Sequence, residues 1–129
     1  MKTRKIVIGV IVGFIVWTAL RFGAVGVVYA AFPDGFDEAG APTNLTASLL
    51  VLFSTLPVSV VAGWVCARLG RPHARAAGGV LVGVQVVIGG LVQLGYLDLL
   101  PWWWHALFFV QLVVGLLVGG ALCREPSQE

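Results

Sequence analysis

The sequence predicts an all-α membrane protein: four transmembrane helices in an antiparallel bundle, with both termini cytoplasmic. Three observations carry that prediction. The chain has 129 residues, of which 59% are hydrophobic and only 11% charged, where a soluble domain carries about 25% charged residues. It contains four apolar runs, roughly 6–31, 45–69, 74–97 and 101–122. At ~1.5 Å per residue each is long enough to cross a ~30 Å hydrocarbon core. Finally, the charges flanking the runs alternate in sign. Lys2, Arg4 and Lys5 precede the first run, Arg68, Arg71 and Arg75 join His73 after the second, and Arg124 follows the fourth. Asp34, Asp37 and Glu38 fill the first connection and Asp98 the third. The positive-inside rule then places both termini and the 68–75 loop in the cytoplasm, and the composition points to a bacterial cytoplasmic (inner) membrane.

Residues 1–129 leave room for a single four-span domain. Nucleic-acid binding is excluded, because seven of the eight basic residues flank apolar runs rather than form a basic face. The partner expected first is the lipid bilayer. The first run reads as a retained helix. Lys2–Lys5 resembles the start of a signal peptide and Val28-Tyr29-Ala30 a cleavage site, but the apolar stretch between them exceeds the about 7–15 residues of a signal core. Cys66 and Cys123 fall on the cytoplasmic side and are expected as reduced thiols.

The first helix should end near Ala31, before the turn sequence Phe32-Pro33-Asp34-Gly35. Residues 36–43 form the only substantial loop, and Asn44 is placed to cap the second helix. Gly70-Arg71-Pro72-His73 is a tight connection, which makes the second and third helices neighbours. The link from Leu97 to Pro101 is tighter still, with Pro101 tolerated in a first helical turn. Residues 124–129 are a short polar tail.

Seventeen glycines would weaken a soluble bundle, but in lipid they allow helix backbones to approach. Gly9/Gly13, Gly79/Gly83 and Gly115/Gly119 each have GxxxG spacing, and Ser59, Gly63 and Ala67 extend the small-residue pattern to the second helix. These faces serve either packing within the bundle or contact with a second copy or another membrane protein.

Two groups of polar residues stand out. Arg21 lies fifteen residues past the start of the first run, ~22 Å into a ~30 Å core, a costly place for a cation. Asp98 is its expected partner, with Asp34, Asp37 and Glu38 as alternatives, and His105 lies at similar depth beside three tryptophans. Arg21, Asp98 and His105 are therefore a candidate binding cluster. The competing reading is that Arg21 snorkels, Asp98 caps the fourth helix, and His105 and the tryptophans form an interfacial belt. The second group is a layer at mid-depth: Thr18, Pro57 with Ser54, Thr55 and Ser59, Gln85, and Gln111. Pro57 frees a carbonyl one turn earlier, which needs a substitute donor. Gln85 and Gln111 either bond across helices or, with Gln93 on nearly the same face as Gln85, line a polar path toward Arg21 and Asp98.

Several chemistries are missing. There is no Cys-x-x-Cys, no acidic residue deep in any run, and no spacing suited to a metal or a nucleophile–base pair. No cofactor, metal or enzymatic activity is expected.

Residues 13–20 (Gly-Phe-Ile-Val-Trp-Thr-Ala-Leu), the Ala31-Phe32-Pro33 turn, residues 61–68 (Val-Ala-Gly-Trp-Val-Cys-Ala-Arg) and residues 98–105 (Asp-Leu-Leu-Pro-Trp-Trp-Trp-His) resemble small four-helix bacterial inner-membrane proteins of unassigned function. The last stretch matches that group's pattern Asp–Leu–Leu/Met–Pro–x–Trp–Tyr/Trp–His, with Trp104 at the Tyr/Trp position. The resemblance implies four helices and a membrane location and implies no activity. The leading functional expectation is a non-enzymatic subunit or accessory factor acting through helix–helix contacts. The alternative is a small oligomeric channel or transporter whose path runs from Gln85 and Gln111 past Gln93 to Arg21 and Asp98.

Overall fold

A computed structural model describes residues 2–38 and 42–123. Arg124, the tail that follows it and the centre of the first loop lie outside the described residues. The apolar runs form helices: α1 (Lys2–Ala31), α2 (Leu45–Phe53), α3 (Thr55–Leu69), α4 (Ala74–Leu94) and α5 (Trp102–Cys123). With α2 and α3 taken together, four segments are long and apolar enough to cross a membrane. Among the described residues the only β-pairing is one isolated bridge between Phe36 and Pro42.

Local chemistry sets the boundaries. Asn44 caps α2 as its sequence position suggests, its side chain accepting from the N–H groups of Thr46 (2.8 Å) and Ala47 (3.3 Å). A 3-10 turn over Pro33–Gly35 closes α1. The expected second helix is present over Leu45–Leu69, but its hydrogen-bond ladder lapses at Ser54, whose backbone stays helical, and this divides it into α2 and α3. Pro57 explains the position. It has no N–H to donate to the carbonyl four residues back, and its ring crowds that turn, so the ladder lapses just upstream. The third helix stops at Leu94 rather than Leu97, with Gly95 turning the chain into the 95–101 connection, where Tyr96 N–H donates to Gln93 O (2.9 Å).

The contacts between helices give their relative directions. Gly9 meets Cys66 and Gly70, Gly13 meets Cys66 and Ala62, Trp17 bonds Ser59, and Arg21 bonds Ser54. Numbers rising along α1 thus meet numbers falling along α3 and α2. In contrast α3 and α5 rise together: Gly115 lies against Ser59, Gly63 against Leu116, and Gly119 against Trp64. These two helices run side by side in the same direction. Their approach is close enough to require glycine. A Cβ on Gly63 would stand 2.3 Å from Leu116 O, and one on Gly119 2.0 Å from Val60 O.

One end of the bundle therefore gathers the start of α1, Gly70 and Cys123, whose carbonyl accepts from Arg71 Nη2. We call it the basal end, and the opposite end, with the 32–44 and 95–101 connections, the apical end. Leu52, Leu81 and Leu112 are fully buried between them. Of the GxxxG pairs, Gly9/Gly13 and Gly115/Gly119 are spent inside the bundle, whereas a Cβ on Gly79 or Gly83 would meet nothing within 4 Å.

Candidate functional site

At the basal end α1 and α4 touch: a Cβ on Gly13 would lie 3.0 Å from Leu81 Cδ2. Toward the apical end they part around a cavity of about 380 Å³. Large side chains hold it open. From α1 come Trp17, Thr18, Arg21 and Phe22, from α4 Ile88, Val92 and Gln93, and the rear wall is Trp104 and Phe108 of α5. Phe36 and Pro42 of the first loop roof it. Gly89 leaves room opposite Phe108, whose ring edge is 3.4 Å from where a Cβ would be. The rim residues Phe22 and Val92 are 74% and 54% exposed, so the cavity is a cleft that opens sideways between two apolar helices.

Among the described residues Arg21 is the only charged one that lines the cleft. It does not pair with Asp98. Its Nη1 donates to Val51 O (2.5 Å) and to Ser54 Oγ (2.7 Å), and Ser54 Oγ in turn donates to Val51 O (2.7 Å). Val51 lies in the last turn of α2, so the cation sits at the carboxyl end of a helix dipole, where positive charge is favoured. The guanidinium carbon is also 5.7 Å from the centre of the Phe108 ring, within cation–π range. The cost of burying Arg21 is thus met by the broken second span and not by a carboxylate. Its Nε and Nη2 make no hydrogen bond to a described residue and are not sealed within protein. Arg21 as a whole lines the cleft, so these two donors are the ones it has left to offer there.

Asp98 is exposed in the apical connection and makes no ion pair or hydrogen bond among the described residues. The expected triad is therefore not assembled: Arg21 lines the cleft, Asp98 lies outside it, and His105 stands behind Gln93. His105 Nδ1–H donates to Gln93 Oε1, a contact that fixes both buried side chains. This leaves the Gln93 amide N–H groups without a bond to a described residue, on a side chain that lines the cleft. His105 Nε2 is buried and has no partner.

Gln85 and Gln111 are buried but do not line the cleft. Gln111 Nε2 donates to Leu107 O of its own helix (3.3 Å), while Gln111 Oε1, Gln85 Nε2 and Thr55 Oγ1 lack partners. Three contributors to the cleft were not singled out as site residues. Trp17 donates Nε1–H to Ser59 Oγ (3.0 Å), Trp104 donates Nε1–H to Ser48 O (3.3 Å), and the Phe108 ring lies parallel to that of Trp104, 6.1 Å away. Both indole N–H groups are consumed, so the tryptophans offer the cleft only apolar faces.

The resulting chemistry is narrow. The walls are mainly aromatic and aliphatic; Arg21 and Gln93 contribute N–H donors, and Thr18 and Tyr96 contribute hydroxyls. Among the described residues no group of His, Cys, Asp and Glu could hold a metal ion. The chain matches no protein-family model, no curated protein and no solved structure.

Proposed function

We propose that the chain is a four-span integral protein of a bacterial cytoplasmic membrane, with both termini and the 68–75 loop on the cytoplasmic side. It acts without catalysis, by holding a membrane-borne amphipathic molecule in the cleft between α1 and α4. The length and apolarity of the four helices and the sign of the charges in each connection support the location. The apical end then faces outward, and the cleft opens into the outer leaflet.

The cleft itself carries the functional reading. A cavity of about 380 Å³ with apolar walls and a few convergent polar groups has the size and chemistry of a small-molecule site. Its rim of Phe22 and Val92 faces where lipid chains would lie. A channel through Gln85 and Gln111 has less support, because neither residue borders the cleft and Asp98 lies apart from Arg21. An accessory role through helix contacts remains compatible with binding, and the open Gly79/Gly83 face of α4 would serve it.

Native mass spectrometry tests this reading. The protein, washed in fresh detergent, should retain a bound species of lipid-like mass. Thr18→Phe, which fills the cleft from α1, should lose that species while keeping its helical content. Equal retention by both proteins would place the ligand elsewhere and sink the proposal.

A further inference from the structure

We infer that the cleft selects a carboxylate: its ligand is a single-chain fatty acid, the head group held by Arg21 and Gln93 and the chain leaving between Phe22 and Val92. This rests on the binding function proposed above and adds the identity of the head group.

The argument begins with which guanidinium atoms are already used. Val51 O and Ser54 Oγ both engage Nη1. What remains is Nε–H and the neighbouring Nη2–H, which lie along one edge of a planar group. That edge is the fork that takes the two oxygens of a carboxylate in parallel. The two contacts on Nη1 also fix the plane of the fork, so little orientation has to be frozen when a ligand binds. Phe108 beneath the guanidinium limits tilting as well.

Charge points the same way. No carboxylate among the described residues pairs with Arg21, and the α2 carboxyl end compensates its charge only in part. An anion in the cleft would complete the compensation in surroundings where water does not compete. Gln93 supplies a further donor. Its carbonyl oxygen is occupied by His105, so the amide end that meets the cleft can only donate. A head group made only of acceptors fits this pair of residues, and the Thr18 and Tyr96 hydroxyls of the lining can donate to it as well.

Shape decides for a single chain. The walls offer flat aromatic faces from Trp17 and Trp104, whose N–H groups are already bonded to Ser59 and Ser48. The gap between the rims of α1 and α4, where Phe22 and Val92 are exposed, leads outward. A glycerophospholipid would have to bring a branched glycerol and two chains past Phe22 and Val92 into about 380 Å³. A fatty acid brings one unbranched chain.

Quenching of tryptophan fluorescence by brominated ligands tests the assignment. The protein is placed in phosphatidylcholine vesicles and titrated with dibromostearate, its methyl ester, or dibromo-phosphatidylglycerol, at a pH that keeps the acid ionised. Dibromostearate should quench at about tenfold lower mole fraction than the ester, the ratio expected for one charge-assisted contact. Thr18→Phe should abolish the saturable part of the quenching. Arg21→Lys keeps the charge and removes the fork, and should bring acid and ester to within about threefold of each other. If acid and ester quench equally in the parent protein and Thr18→Phe abolishes both, the cleft binds lipid but does not select a carboxylate. Saturable quenching by phosphatidylglycerol that matches or exceeds the acid would overturn the single-chain assignment. Absence of any saturable quenching would remove the binding function itself.

Discussion

The basal and apical halves of this bundle solve the same problem in opposite ways. In the basal half, glycine brings backbones together: Gly9 and Gly13 against α3, Gly63 and Gly119 across α3 and α5. Backbone and small side chains meet there, and Arg71 adds a side-chain bond to Cys123 O at the very end. In the apical half, Trp17, Arg21, Trp104 and Phe108 hold the helices apart, and the second span breaks at Ser54. Close packing supplies rigidity where the chain has no chemistry to offer, and side-chain bulk with a helix break supplies a cleft where it does. The contrast predicts that added volume harms the basal half, while removed hydrogen bonds harm the apical half.

The largest effect should come from Gly119→Ala. The new methyl would lie 2.0 Å from Val60 O and 2.8 Å from Trp64 N, both backbone atoms that cannot move aside. The helices must separate, at about 3 kcal/mol or more. Thermal unfolding in detergent should show a drop larger than for any other single methyl addition. A near-neutral result would mean that the α3–α5 contact is looser than its geometry.

Arg21→Met comes next. It removes two hydrogen bonds at the α2–α3 break, one of them to a helix-terminal carbonyl, and should cost about 1–3 kcal/mol. Ser54→Ala should couple to it by about 1 kcal/mol in a double-mutant cycle, since the two side chains and Val51 O form one network. Asp98→Asn should change nothing and couple to nothing, because Asp98 is exposed and unpaired among the described residues. Coupling between Arg21 and Asp98 would restore the ion pair that the sequence suggests.

Both halves of the Arg21 contact are legible in the sequence and only their joining is not. A buried arginine needs acceptors, and Pro57 frees carbonyls near residue 53. Each fact follows from residue chemistry alone. Opposite charge nevertheless points to Asp98, because formal charges can be read from a sequence whereas helix-end dipoles cannot until the break is located. The four long apolar helices, the Asn44 cap and the turn after Ala31 are local and readable. The direct contact of α3 with α5 was not, since GxxxG spacing at 9, 79 and 115 looks the same wherever each face points. The structure uses two of these faces and leaves Gly79 and Gly83 open. The Gln93–His105 bond was hidden for a similar reason. Depth alone groups His105 with Arg21 and Asp98, but it is the last turn of α4, ending at Leu94, that reaches the histidine.

Smaller effects distinguish buried polarity that is used from buried polarity that is not. Gln85 is 2% exposed and its amide nitrogen has no partner. It lies one turn from Gly89 and one from Leu81 on the inward face of α4, between the two halves. Gln85→Leu keeps most of the volume and removes an unsatisfied group, and should raise stability by about 1 kcal/mol. Gln93→Leu, two turns further, removes a group bonded to His105 and should lower stability by a similar amount. The sign of the Gln85 result is the informative part. A loss on Gln85→Leu would mean that its amide bonds an internal water at mid-depth, for which Thr55 Oγ1 and Gln111 Oε1, also without partners, are the candidate second ligands. The line between the packed half and the open half would then fall lower in the bundle, below Gln85 rather than at Gly89. Denaturation of Gln85→Leu and of Gln85→Leu combined with Thr55→Val would separate the two cases. Independent orphaned groups should give additive gains, and a shared water should give a first loss that the second substitution largely does not deepen.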